Sequence, residues 1–227
     1  MNQRIRMLAV WSAAAFFVTW LLGFVVFAGW FPPTPPSTGA QEMADLFRSQ
    51  SVSIRICMVF MTVGAVFYLP FTMLLSDLIK EIERPSALLA GTQLAAGILC
   101  TLTFFIPAYI WTAAAFRPER NPEITQALTD LAWLLFMTGL GPFALQYVSL
   151  AIAIFIDKKP VPTFPRWAGY VNVFVTISFL PAPSAFFFKT GPFSWNGLFI
   201  WWLPLVTFAI WFISMIYLAR KAVLRQA

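Results

Sequence analysis

The sequence predicts an all-α, polytopic membrane protein: a six-transmembrane-helix bundle without a soluble domain. Three observations predict it. Of 227 residues, 60% are hydrophobic and 11% charged, and the mean hydropathy is +0.78; a soluble domain carries about 25% charged residues. Six apolar runs, at 8–30, 56–79, 87–116, 128–156, 167–188 and 198–218, reach the ~20 residues needed to cross the hydrocarbon. The alternating pattern of a barrel strand is absent, and a spanning segment must satisfy its backbone internally, which leaves helices. Connections are short, so 1–227 reads as a single transmembrane domain.

The first run follows Arg4 and Arg6 as the core of a signal peptide would. It is 23 residues long, beyond the ~7–15 of such a core, and no small-residue cleavage site follows. It is expected to be an uncleaved span. Prolines punctuate the other five: Pro70, Pro107, Pro142, Pro181 with Pro183, and Pro204. Each frees a carbonyl and bends its helix. Pro107, Pro181 and Pro204 fall toward one side of the membrane, where concerted bends are expected to open a cleft between spans three, five and six. Short matches, Phe60-Met61-Thr62 with Phe136-Met137-Thr138 and Thr101 to Pro107 with Thr176 to Pro181, suggest a repeated helical hairpin.

In the first connection, residues 31–36 make a stiff proline-rich spacer. Ser37 or Thr38 can cap a short helix whose Ala40, Met43, Ala44 and Phe47 share one face. This amphipathic helix is expected in the first outer loop, either resting on lipid or lying as a lid over a cavity. In the third connection Asn121 is a good N-cap and Pro122 a good first helical residue. Arg117, Glu119, Arg120, Glu123 and Asp130 around it read as a solvated ion-pair network. The last outer connection is aromatic from Phe186 to Trp202, with turn signals at Gly191-Pro192 and Asn196-Gly197. With ten tryptophans in the chain, an interfacial aromatic belt is the expected role for most.

Basic residues set the expected orientation. With the N-terminus inside, ten lie on the cytoplasmic side (Arg4, Arg6, Lys80, Arg84, Lys158, Lys159, Arg166, Arg220, Lys221, Arg225) and five outside (Arg48, Arg55, Arg117, Arg120, Lys189). Cytoplasmic loops retain lysine and arginine, so both termini are expected in the cytoplasm and the protein in the cell membrane. The net charge of +6 then lies wholly inside, against anionic lipid. No basic segment is long enough to track a phosphate backbone, so nucleic acid is not an expected partner.

Composition removes much chemistry. The chain has no histidine, which excludes haem, zinc and di-metal sites held by histidine and any triad with a histidine base. No lysine lies at depth to form a retinal Schiff base, and no phosphate-cradling glycine loop is present. No charged side chain sits at a span centre, which argues against a proton-coupled pump. Catalytic residues, metal and cofactor are expected to be none. Cys57 and Cys100 lie at different depths and read as two unpaired, small apolar side chains. Gln93, Gln146 and Asn172 are the strongest hydrogen-bonding groups in the spans, most simply joining helix to helix.

The stretch Pro160-Val161-Pro162-Thr163-Phe164-Pro165-Arg166-Trp167-Ala168-Gly169-Tyr170 resembles a phrase found in small bacterial six-helix integral membrane proteins of unassigned function, and 187–197 has the same character. The resemblance extends to the layout of most of the chain. It implies the bundle and transfers no catalytic residue.

Three function classes follow. The first is binding or transport of an apolar or anionic amphiphilic small molecule through an outward-facing cleft. The second is a non-catalytic subunit that anchors or organises a membrane complex, with a membrane-protein partner or a second copy of itself. The third is an intramembrane cyclase or isomerase using carboxylate and tyrosine; it needs an acid at depth, and only Asp130 or Asp77 could serve. Binding or anchoring is favoured over catalysis. A ligand is expected at the outer half, with Arg55, Arg117 and Lys189 around the mouth, Asp130, Trp195 and Asn196 beside them, and Gln146 and Asn172 deeper. Membrane lipid is the remaining expected partner.

Overall fold

The structure is a computed structural model and describes residues 3–83 and 87–225; Arg84 of the inner basic set lies outside them. All secondary structure among the described residues is helical. The α-helices are α1 (Gln3–Leu21), α2 (Ala40–Ser49), α3 (Ser51–Glu83), α4 (Leu88–Phe116), α5 (Pro122–Met137), α6 (Leu140–Ile156), α7 (Arg166–Phe179) and α8 (Leu203–Arg225). They form six segments long and apolar enough to cross a membrane: Gln3–Phe27, Ser51–Ile82, Leu88–Phe116, Pro122–Ile156, Arg166–Phe186 and Leu198–Arg225.

Each span packs on its sequence neighbours, and the last, α8, returns to α1. The bundle is therefore a closed ring, and its axis is aromatic. Phe16, 1% exposed, has its ring centroid 5.3 Å from Tyr68, 5.1 Å from Phe104 and 5.3 Å from Phe212. One side chain of span one thus touches spans two, three and six. Aromatic pairs of this kind contribute about 0.5–1.5 kcal/mol beyond their area. Van der Waals packing matters more here than in water, because lipid tails are as apolar as the helix surfaces. The outward stripe of α3, Val52, Val59, Val63, Val66 and Met73, is exposed and wholly apolar, whereas Thr72 and Ser76 are buried. That inside-out pattern is what a hydrocarbon solvent requires.

Four of the six spans depart from the α-helix. Span one continues as a π-helix, Leu22–Phe27. It ends at Gly29, whose φ of +63° only glycine adopts without strain, with Trp30 N donating to Phe24 O at 3.0 Å. Span four, expected as one helix, is two. Pro142 has no N–H to offer the Thr138 carbonyl, and the chain breaks at Thr138–Gly139 between α5 and α6. Span five stays α-helical only to Phe179. Pro181 and Pro183 cannot donate, and Ala182–Phe186 winds as a 3-10 helix. Span six opens with a π-helical turn, Leu198–Trp202, ahead of Pro204. Pro70 and Pro107, by contrast, lie within unbroken helices. The matched prolines of the apparent repeat, Pro107 and Pro181, therefore act differently.

Buried hydrogen bonds tie the ring. Thr72 Oγ1 accepts from Gln93 Nε2 at 2.9 Å and from Gln146 Nε2 at 3.1 Å, and Tyr68 OH donates to Gln146 Oε1 at 2.6 Å. Spans two, three and four meet at this point because Gly97 has no side chain: a Cβ there would lie 1.9 Å from Thr72 Oγ1 and 2.9 Å from Gln146 Nε2. Spans five and six are joined by Trp211 Nε1 donating to Asn172 Oδ1 at 2.8 Å and by the Ser178–Thr207 hydroxyl pair at 2.7 Å. The sequence reading of these amides as helix ties matches this geometry. Cys57 and Cys100 are free and buried.

The two ends differ. At one, Arg6 donates to both Asp77 and Glu81, binding α1 to α3. At the other, the connections are knitted together: Arg48 Nε donates to Pro118 O at 3.0 Å, Gln126 Nε2 to Thr38 O at 2.9 Å and Trp195 Nε1 to Thr34 O at 2.7 Å. Helix α2 forms as its periodicity predicts, but Gly39 precedes it without a side-chain cap. Its Met43, Ala44 and Phe47 are buried, chiefly against α5. The face expected to rest on lipid is used for packing inside the protein. Asn121 caps α5 as expected, accepting from Glu123 N at 2.9 Å. The expected network around it does not form: among the described residues Arg117, Glu119, Arg120, Glu123 and Asp130 make no ion pair with one another.

Replacing Gly97 with alanine forces Thr72 and Gln146 apart, a form of overpacking that costs about 1–3 kcal/mol. Gly91, on the same helix, has nothing within 4 Å of an added Cβ. Thermal unfolding in detergent is expected to show a lowered midpoint for Gly97→Ala and no loss for Gly91→Ala.

Candidate functional site

The irregular segments of spans one, four, five and six converge. An apolar cavity of about 80 Å³ lies among them. Trp20 comes from just before the π-helix of span one, Met137 from the end of α5, and Ala182 from the 3-10 turn of span five. Ile200, Trp201 and Pro204 come from the start of span six. Irregular backbone is tolerated at membrane depth where it is buried in protein or lines a cavity, and π-helical turns recur at functional sites. Thr103 brings the hydroxyl to this lining and spends it on Cys100 O at 2.6 Å. The space is half that of an engineered apolar cavity of ~150 Å³ that holds benzene, so it admits the end of a hydrocarbon chain.

Beyond it, at the loop end, lies a vestibule of about 710 Å³. One wall is the Pro32–Pro35 spacer, another is α2 with Glu42 and Asp45 and its C-cap Gln50, and Trp30 and Asn196 complete it. A second space of about 250 Å³ adjoins, sharing Pro35 and Asn196 and adding Lys189. The first connection thus forms the wall of a chamber, the lid-like arrangement of the two expected for it.

An aromatic partition stands between vestibule and cavity. Phe24, fully buried in the π-helix, lies 5.1 Å from Trp20 and 6.2 Å from Trp201, which line the cavity, and 5.9 Å from Trp30, which lines the vestibule. Trp30, Trp111 and Trp133 form a mutual triad with centroids 4.7 to 5.2 Å apart. Seven of the ten tryptophans are buried to 5% exposure or less, and Trp11, Trp167 and Trp202 are the rest. The expected interfacial belt is therefore mostly a core. The indole N–H groups of Trp20, Trp30, Trp111 and Trp201 are buried and, among the described residues, have no hydrogen-bond partner.

The structure distributes the expected site residues. Gln146 and Asn172 belong to the interior ties already described. Arg55 Nε donates to Ser51 O on its own helix at 3.3 Å, and Arg117 is exposed at the end of α4; neither lines the three spaces. Asp130 is half-buried on α5 and interacts electrostatically with Lys189. Trp195 is buried and holds the spacer through Thr34. Asn196 accepts from Ser194 Oγ at 2.8 Å and lines both outer spaces. Lys189, Asn196 and Asp130 are brought to one region, while Arg55 and Arg117 do not join them. Sequence reasoning missed Trp20, Phe24 and Trp30, whereas Trp201 belongs to the Phe186 to Trp202 aromatic stretch expected from the sequence to hold an apolar tail. The available signal was the position of Trp20 well inside its run, where a belt residue does not belong. Among the described residues, no group of three or more histidine, cysteine or acidic side chains could hold a metal ion.

Truncating Phe24 removes the centre of the partition. Phe24→Ala is expected to cost about 3–5 kcal/mol, as other buried Phe→Ala changes do, and to join vestibule and cavity. Intrinsic tryptophan emission should shift to the red and acrylamide quenching should rise, since Trp20, Trp30 and Trp201 then meet water.

Comparison with protein-family models, with curated proteins and with solved structures finds no match to this chain.

Proposed function

We propose that this multi-pass membrane protein binds an amphiphile from its loop end, the end of the hydrocarbon tail entering the apolar cavity and the head remaining in the vestibule. The observation that carries this reading is one apolar space lined by the irregular segments of spans five and six and by chain flanking those of spans one and four, with an aromatic partition between it and the vestibule. Of the unpartnered indole N–H groups, that of Trp30 belongs to the vestibule wall and supports a head with acceptor oxygens, such as a carboxylate, because a buried unsatisfied donor costs about 1–3 kcal/mol. Lys189 and the Asn196 amide supply further positive and donor character at the rim. Glu42 and Asp45 stand on the α2 wall, and Asp45 is held by Arg48 at 2.6 Å.

cis-Parinaric acid, a fluorescent fatty acid, tests the reading. Saturable energy transfer from tryptophan is expected in the wild type. Ala182→Phe, which fills the cavity, should abolish it while the unfolding midpoint holds. Trp30→Phe keeps an aromatic ring, smaller than indole, and deletes the donor, and should weaken binding about fivefold, the equivalent of one hydrogen bond. Equal saturable binding in wild type and Ala182→Phe would remove the cavity from the mechanism.

The orientation proposed with this function places the loop end outside and the Arg6 end in the cytoplasm, on the basic asymmetry of the connections. In a background lacking Cys57 and Cys100, a cysteine at Thr190 should react with an impermeant maleimide in intact cells, and one at Lys159 only after permeabilisation. The reverse pattern would invert the assignment.

A further inference from the structure

At the end of the bundle away from the vestibule, the connection between α6 and α7 folds back beside the last turns of α8. Asp157 shapes it: Oδ1 accepts from Lys159 N at 3.1 Å and Oδ2 from Thr163 N at 2.8 Å. Phe164 is buried beneath, and Arg225 Nη1 donates to Pro162 O at 3.3 Å. A cleft of about 330 Å³ remains between loop and helix. Lys221 and Arg225 supply its charge, Trp167, Tyr217 and Val161 its exposed apolar surface, and no acidic side chain is among its lining residues. The nearby Asp157 already has both oxygens on backbone N–H groups. Among the described residues neither Lys221 nor Arg225 forms an ion pair.

We propose that this cleft binds the phosphate of an anionic phospholipid headgroup. Two cations that, among the described residues, have no carboxylate partner complement a phosphate diester, and Arg225 can meet it with a fork of N–H donors. The volume falls within the ~300–1,000 Å³ typical of ligand sites. Trp167 and Tyr217 are exposed where α7 begins and α8 nears its end, and such amphipathic rings belong beside the glycerol and first chain carbons. Pro160, Pro162 and Pro165 hold the loop wall in advance, so little chain entropy is lost on binding. Basic clefts between spans are suited to acidic headgroups. This site is independent of the loop-end cavity and of its ligand.

The test uses the full chain in nanodiscs of phosphatidylglycerol and phosphatidylcholine in equal amounts, released into mild detergent for native mass spectrometry. The wild type is expected to retain phosphatidylglycerol in preference to phosphatidylcholine. Lys221→Gln and Arg225→Gln should each reduce that preference about fivefold, and the double variant ~25-fold, as expected for one surface charge each. Arg117→Gln combined with Arg120→Gln makes the same change in net charge at the other end and should leave the preference intact. Lys221 and Arg225 are exposed, and the single variants decide the matter if the double variant is not recovered. No preference in the wild type, or an equal loss in the Arg117/Arg120 variant, would overturn the assignment. So would displacement of the lipid by millimolar inorganic phosphate, which would give the cleft to free phosphate instead.

Discussion

Inside hydrocarbon, a backbone carbonyl without a partner costs several kcal/mol, and this constraint orders the rest of the molecule. Where the helices are regular it is met within the chain. Where proline interrupts, the freed carbonyls must be turned inward. Pro142, Pro181 with Pro183, and Pro204 accompany the break in span four, the 3-10 turn in span five and the π-helical start of span six. The irregular segments of spans five and six line the cavity, and Trp20, Met137 and Phe143 bring to it the chain that flanks those of spans one and four. Hydroxyls at depth also bond back within their own helices: Thr207 Oγ1 donates to Leu203 O at 3.0 Å and Thr112 Oγ1 to Ala108 O at 2.7 Å, which satisfies the hydroxyl and can bend the helix. The cavity is thus a consequence of keeping four irregular backbones away from lipid.

The interior is divided by chemistry. Toward the loop end it is aromatic, organised by Phe24 and the Trp30–Trp111–Trp133 triad. Deeper in the bundle it is polar and neutral, organised by Thr72, Gln146 and Tyr68. Interhelical hydrogen bonds in a bilayer average only about 0.6 kcal/mol, so the polar cluster contributes more to register than to stability. Two amides on one hydroxyl, with Gly97 beneath, leave little freedom for spans two, three and four to slide. The aromatic half has no such directional tie. Phe16 and Phe24 join it by ring contacts, and flat rings can repack with small displacements.

The fold was legible in the sequence because it depends on one-dimensional quantities. Six apolar runs, their lengths and the Asn121–Pro122 cap could be read directly. The amphipathic period of α2 was equally plain, but a period does not say whether its apolar face meets lipid or protein. Tryptophan was misread for a related reason: belt and core use the same residue, and only burial separates them. The site was less legible still. Arg55 and Arg117 were grouped with Lys189 because they share a side of the membrane. A ring of six helices separates residues on one side by as much as its diameter, and sequence carries no azimuth. The Arg6–Asp77–Glu81 tie escaped for the same reason, since span ends that are distant in sequence meet only once the ring closes.

Four buried indoles without acceptors are the least economical feature of this interior. Phenylalanine is the smaller ring and would lose part of this packing, but it would keep aromatic contacts and leave no donor unsatisfied. Trp20, Trp30 and Trp201 carry indole where the ring lines open space and, among the described residues, the N–H has no partner. The same positions surround the one place where the chain abandons regular helix in four spans at once. Unsatisfied donors and irregular backbone occur side by side here, Trp20 and Trp201 lining the space that Ala182, Ile200 and Pro204 also line. A hydrocarbon end in that space would restore the contacts it lacks, and an acceptor oxygen of the head would serve the Trp30 side. That coincidence of two independent costs, more than any single residue, is the argument for a binding function at the loop end.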